Sequence, residues 1–240
     1  MSPSVASRIA ARDGFVAHVG RRSLETARAL ADVGTWGPLL VGQMRRLGVD
    51  SVPIALFIAV FTGTVPLYFV GALVGKTVMM ELGPVLTGMA LAGRVGASIA
   101  AEIGTMKVTE QVDALETLAY DRNSYLVVPR VLAATLMFPV VTAFAMAVGV
   151  AAGWVTAINL LDLSTTEFLK GLKQFYRFKD IWFGLVKSAS FGGAVALMGC
   201  LQGLDAKAGA EGVGLSTTRA VVLGCEAILV LDAFWALVLL

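Results

Sequence analysis

Five apolar stretches alternate with charged ones along this chain, and their lengths set its reading. Residues 51–75 run for 25 positions without a charge and residues 131–161 for 31. Residues 82–101, 181–204 and 220–240 are apolar apart from a few ionisable positions. A helix rises about 1.5 Å per residue, so about 20 apolar residues cross the roughly 30 Å hydrocarbon layer of a bilayer. The pattern predicts an all-α integral membrane protein, a single domain over residues 1–240 with five transmembrane helices. The segments between them carry a different periodicity. In residues 102–121, Val112, Leu115 and Ala119 recur at intervals of three and four while Glu110, Asp113 and Thr117 mark the opposite face, which predicts a short amphipathic surface helix. In residues 162–180, Ser164 followed by Glu167 has the form of a capping box ahead of Phe168, Leu172 and Phe175, which predicts a small helix resting on the membrane. Residues 1–50 mix Phe15, Val19, Leu24, Leu30, Val33 and Trp36 with arginines, as suits a helix lying in the headgroup layer.

Composition agrees with that class. Hydrophobic residues make up 57% of the chain and charged ones 15%, with mean hydropathy +0.80, above the apolar share of about 45–50% in soluble domains. Residues 1–50 contain no apolar run long enough for a signal-peptide core, so the N-terminus is expected to be retained. Twelve Lys and Arg fall in residues 1–50, 102–130 and 205–219 against five at Lys76 and in 162–180. The excess predicts a cytoplasmic N-terminus and, with five crossings, an external C-terminus. The acid-rich surface helix then faces the cytoplasm. The two cysteines and one histidine form no metal-ligand or disulfide spacing, and no serine or cysteine has a base nearby in a catalytic pattern. GALVGKT at 71–77 has three residues where a phosphate-binding loop needs four, and no strand precedes it. No catalytic residue, metal site or cofactor of the chain's own is expected.

Four ionisable residues fall inside the predicted spans: Arg94, Lys187, Glu226 and Asp232. Charges at membrane depth are expensive and face partners or cavities. Counting rise per residue places Arg94 level with Glu226 and Lys187 level with Asp232, so two neutralising pairs are expected. The alternative is a proton or ion relay, as in an ion-coupled secondary transporter. Gly63 and Pro66 interrupt the first span and make it a candidate cavity wall. A surface helix hung directly from a glycine-rich span is what a membrane subunit needs to receive force from a separate motor.

ELGP at 81–84 and LAGRVGASIAAEIGTMKVTEQVDALE at 91–116 closely resemble the signature of the MlaE/YrbE permeases, membrane subunits of ABC transporters that work with MCE-domain proteins. The match is dense over about 40 residues, and the order of spans and surface helices is similar over nearly the whole chain. The resemblance implies a homodimeric permease in the bacterial inner membrane, two cytoplasmic ATPase subunits that bind the ATP and Mg, and an external MCE-domain protein that passes phospholipid onward. It implies a coupling helix at 104–118, with Glu102, Thr105, Lys107, Glu110, Asp113 and Glu116 at the ATPase contact. An outward-opening lipid cavity at the dimer interface would take its walls from Phe61, Val65, Leu67, Tyr68 and Phe69 in the first span and from Leu229 and Phe234 in the last.

Overall fold

A computed structural model describes residues 19–29, 33–64, 78–161, 163–175 and 177–239. Every element among the described residues is helical. In chain order these are α1 (19–29), α2 (Val33–Leu47), α3 (Val52–Thr64), α4 (Val78–Val108), α5 (Gln111–Thr117), α6 (Val128–Leu161), α7 (Thr165–Phe175), α8 (Phe178–Leu204) and α9 (Gly209–Leu239). Four of the described helices, α4, α6, α8 and α9, are long and apolar enough to cross a membrane. The first predicted span is α3 as far as Thr64, and its remainder lies outside the described residues. The count of five is therefore not reached among the described residues.

Helix α8 sits at the centre. It packs on α6, α9 and α4, while α3 and α2 close the outer side of α6. The shared core is built from Leu91, Val95, Ile99 and Ile103 of α4, Phe138 and Val141 of α6, Phe191, Val195 and Cys200 of α8, and Ile228 of α9. Lipid tails are as apolar as leucine, so helices here gain by close approach of backbones rather than by escape from water. The GCLQG stretch at 199–203 supplies that approach. A methyl group at Gly203 would stand 2.8 Å from Ile103 Cβ and 3.0 Å from Ala100 O. Both atoms belong to the rigid wall of α4, so the helices would have to part. Gly203→Val is expected to destabilise the bundle by about 1–3 kcal/mol, read as a lower melting temperature of the detergent-solubilised protein.

Helix α4 differs from its predicted bounds at both ends. Pro84, placed near the start of a span beginning at Leu82, is in fact preceded by wide π turns over Val78–Leu82, so Glu81 lies inside the helix. A second π stretch at Ala92–Gly96 carries Arg94. At the other end the helix continues through Glu102 and Lys107 to Val108. Only the seven residues Gln111–Thr117 form a separate surface helix. Glu110 adopts φ 61° and Ala119 φ 62°, so the chain reverses once into α5 and once out of it. Helix α6 likewise starts before its uncharged run, through π turns at Asn123–Val127. Asp121 caps them by accepting from the backbone N–H of Asn123 and of Ser124.

The capping box at α7 is formed reciprocally. Ser164 N–H donates to Glu167 Oε2 at 3.0 Å and Glu167 N–H to Ser164 Oγ at 3.2 Å. The backbone donation from Ser164 holds the Glu167 carboxyl below its ordinary range. Phe168 is buried beneath it.

Candidate functional site

Two sites stand at opposite ends of α4. The first is a junction of three helices around Lys187 of α8. Gly184, one turn earlier on the same face, has no room for a side chain against Met79 O and Pro84, so α8 lies close upon the π turns of α4. That approach brings Lys187 Nζ to 2.7 Å from Glu81 Oε2, and α9 contributes Asp232, whose Oδ1 is 2.5 Å from the same nitrogen. The lysine side chain is completely buried, while Glu81 is 43% and Asp232 26% exposed. One buried cation thus ties three spans together and carries two carboxylates that reach toward the surface. A lone ammonium at this depth would be costly, and two partners supply what it loses from water. Beside it, Trp235 Nε1 donates to Ser190 Oγ at 3.0 Å, and Thr142 and Ser188 hydroxyls meet at 2.7 Å between α6 and α8.

Depth matching in the sequence puts Lys187 and Asp232 at one level, and they are in contact. Glu81 escapes the same reasoning because Pro84 marks the helix start too late. Arg94 and Glu226 are not joined, which corrects the second expected pair. Rise per residue gives height and says nothing of azimuth. Ile228 points into the core from α9, and Glu226, two residues earlier, falls about 200° round the helix on the exposed side. Arg94 Nη1 instead donates to Ser51 Oγ at 2.5 Å.

The second site is the far end of α4 with α5. Val112 is fully buried and Leu115 packs against the core, anchoring the short helix from below. Glu110, Asp113 and Glu116 lie on its exposed face. Lys107 of α4 pairs with Asp113 at 2.6 Å and Arg122 with Glu116 at 3.2 Å, which brace α5 at both ends. Thr105 donates to Ala101 O within its own helix. Glu102 is taken up differently from the other acids. Its carboxylate binds Arg46 of α2 at 2.8 Å and the buried Arg130 of α6 at 3.0 Å, so it fastens three helices. Leu118 and Tyr120, 68% and 50% exposed, set apolar surface beside the acidic face.

Of the residues expected to line a cavity, Phe61 is exposed on α3 with its ring 4.9 Å from that of Phe57. Leu229 and Phe234 are exposed on the outer face of α9. Val65, Leu67, Tyr68 and Phe69 lie outside the described residues. The outer face of α9 is the most open of the four long helices. Only 11% of its most apolar stretch is buried, against 50% for α4.

A helical bundle with four described helices long and apolar enough to cross a membrane, and a braced surface helix at the end of one of them, defines a polytopic membrane protein. Comparison with known proteins makes the class specific. Residues 40–238 match the family model described as Permease MlaE. A probable ABC transporter permease of Synechocystis is 42% identical over 205 residues, covering 80% of this chain and 78% of that one. The intermembrane phospholipid transport system permease protein MlaE of Haemophilus influenzae is 32% identical over 246 residues, covering 91% and 94%. The chloroplastic protein TRIGALACTOSYLDIACYLGLYCEROL 1 of Arabidopsis thaliana is 33% identical, covering 79% and 58%. The chain belongs to the MlaE permease family of ABC transporters.

Proposed function

We infer that this permease moves phospholipid across or out of the bacterial inner membrane, as the membrane half of an ABC transporter whose ATPase subunits are separate chains. The reading is carried by α5, a short helix with an open acidic face, anchored by Val112 and braced by Lys107 and Arg122. A partner that closes on ATP and Mg would push there. Helix α4 is continuous from Val108, two residues short of α5, to Glu81, about 40 Å at 1.5 Å per residue. A push at one end therefore reaches the Lys187 junction, and the π turns at Ala92–Gly96 are a natural place for the helix to flex. Phospholipid as cargo is supported by the name of the Haemophilus relative.

The working unit is a pair of permease copies joined along α9, with an external MCE-domain protein receiving lipid. Support comes from the exposed face of α9, which carries Val222, Leu229, Val230 and Phe234 together with the exposed Glu226. A charge turned to lipid costs about 2.5–3.5 kcal/mol, a cost that a second protein surface removes. Phe61, Leu229 and Phe234, with Val65, Leu67, Tyr68 and Phe69, would then line a lipid space between copies. The positive-inside count puts the N-terminus and α5 in the cytoplasm and the C-terminus outside. Reconstitution with its ATPase subunits in vesicles tests the whole. Lipid transfer that stops without ATP is the expected result. Transfer driven by a proton or sodium gradient without any ATPase would favour the ion-coupled alternative, for which the Lys187 junction is the natural relay.

A further inference from the structure

We propose that Arg94 forms a phosphate-binding site where α2 turns into α3, separate from the Lys187 junction and from the face of α9. The site is a cavity of about 110 Å³ lined by Arg46, Asp50, Ser51, Arg94 and Ser98 among others. The space is large enough for one tetrahedral oxyanion. Arg94 projects into it from a π stretch of α4. The guanidinium offers five N–H donors, and the partner found for it among the described residues is Ser51 Oγ. That hydroxyl is itself committed, donating to Leu47 O at 2.7 Å. No carboxylate lies within 4 Å of Arg94 among the described residues. A half-buried guanidinium in a membrane span with one neutral partner has its charge unanswered, and its planar fork matches a phosphate in two-point contact.

The neighbouring charges point the same way. Arg46 and Arg130 share the single carboxylate of Glu102, so this end of the bundle keeps an excess of positive charge over Asp50. The position is also suited to a lipid. The amphipathic α2 ends at Leu47 and the apolar α3 begins at Val52, which sets the cavity at the boundary of headgroups and tails. Asp50 stands exposed at the same cavity and opposes a bare dianion there. The ligand is a phosphate group, free or as the phosphodiester of a lipid headgroup.

The test uses the full chain purified in detergent. Phosphorus is counted per chain after exhaustive delipidation, and inorganic phosphate is titrated calorimetrically into the delipidated protein. Arg94→Gln is expected to lose the retained phosphorus and to weaken phosphate binding by about tenfold or more, with Arg94→Lys intermediate. Loss of retained phospholipid alone assigns the site to a headgroup, and weakened titration alone assigns it to free phosphate. Asp50→Asn is expected to tighten the inorganic phosphate titration. If Arg94→Gln changes neither measurement, or if Asp50→Asn weakens binding as much as Arg94→Gln does, Arg94 serves the fold and the proposal is overturned.

Discussion

Lys187→Met is expected to be the most damaging single substitution in the membrane-spanning part. The lysine is wholly buried, and its ammonium is 2.7 Å from Glu81 and 2.5 Å from Asp232. Methionine fills a similar volume, so packing is nearly conserved and the loss is electrostatic. Two carboxylates on α4 and α9 are then left facing one another with their shared cation gone. Removing one partner of a buried pair costs about 3–5 kcal/mol because the survivor stays uncompensated. Glu81 and Asp232 keep some access to solvent or headgroups, which places the expected loss near the lower figure. The measurement is a melting curve of the solubilised protein beside the triple variant Lys187→Met, Glu81→Gln, Asp232→Asn. The triple variant should recover much of the stability, since neutral amides need no cation. A single variant that melts with the wild type would show that these charges do not hold the spans together.

The apolar lengths make the long helices readable from sequence, because a span in lipid must satisfy its own backbone and must be long enough to do so. The same logic puts Lys187 and Asp232 at one depth. Direction around the helix is not readable in that way. Glu226 and Arg94 match in height, yet Glu226 faces outward and Arg94 turns to Ser51. Local irregularity is equally hidden. Three π stretches among the described residues, at Val78–Leu82, Ala92–Gly96 and Asn123–Val127, rotate the helical residues beyond them, and no spacing rule announces them. The first moves Glu81 from an expected loop into the ion junction. The stretch at 102–121 reads as one surface segment because Glu102 ends the apolar span, whereas α4 runs on to Val108 and the left-handed Glu110 divides the stretch. Glu102, expected at the partner contact, spends both oxygens inside the bundle on Arg46 and Arg130. Long-range ion pairs of this kind depend on tertiary packing that single-sequence reasoning does not supply.

Asp113→Lys is expected to separate transport from folding. Asp113 is 56% exposed and its partner Lys107 32%, and a surface pair of that kind contributes about 0.2–1 kcal/mol. The melting temperature should therefore move little. Its place on the open face of α5 is another matter under the proposed coupling. A lysine there sets two cations side by side where an acid was, at the point where an ATPase subunit would seat. Like-charge placement across an interface costs several kcal/mol and acts on partner choice more than on either fold. ATP-driven lipid transfer in reconstituted vesicles should fall by about tenfold or more, with less ATPase retained on purification. Val112→Asp provides the contrast. That side chain is fully buried beneath α5, so an unpaired charge there should unseat the helix and lower stability as well. If Asp113→Lys transports normally while Val112→Asp fails, α5 is needed as structure but its acidic face is not where force enters. If Asp113→Lys loses transport with an unchanged melting curve, the push arrives through that face and travels along α4.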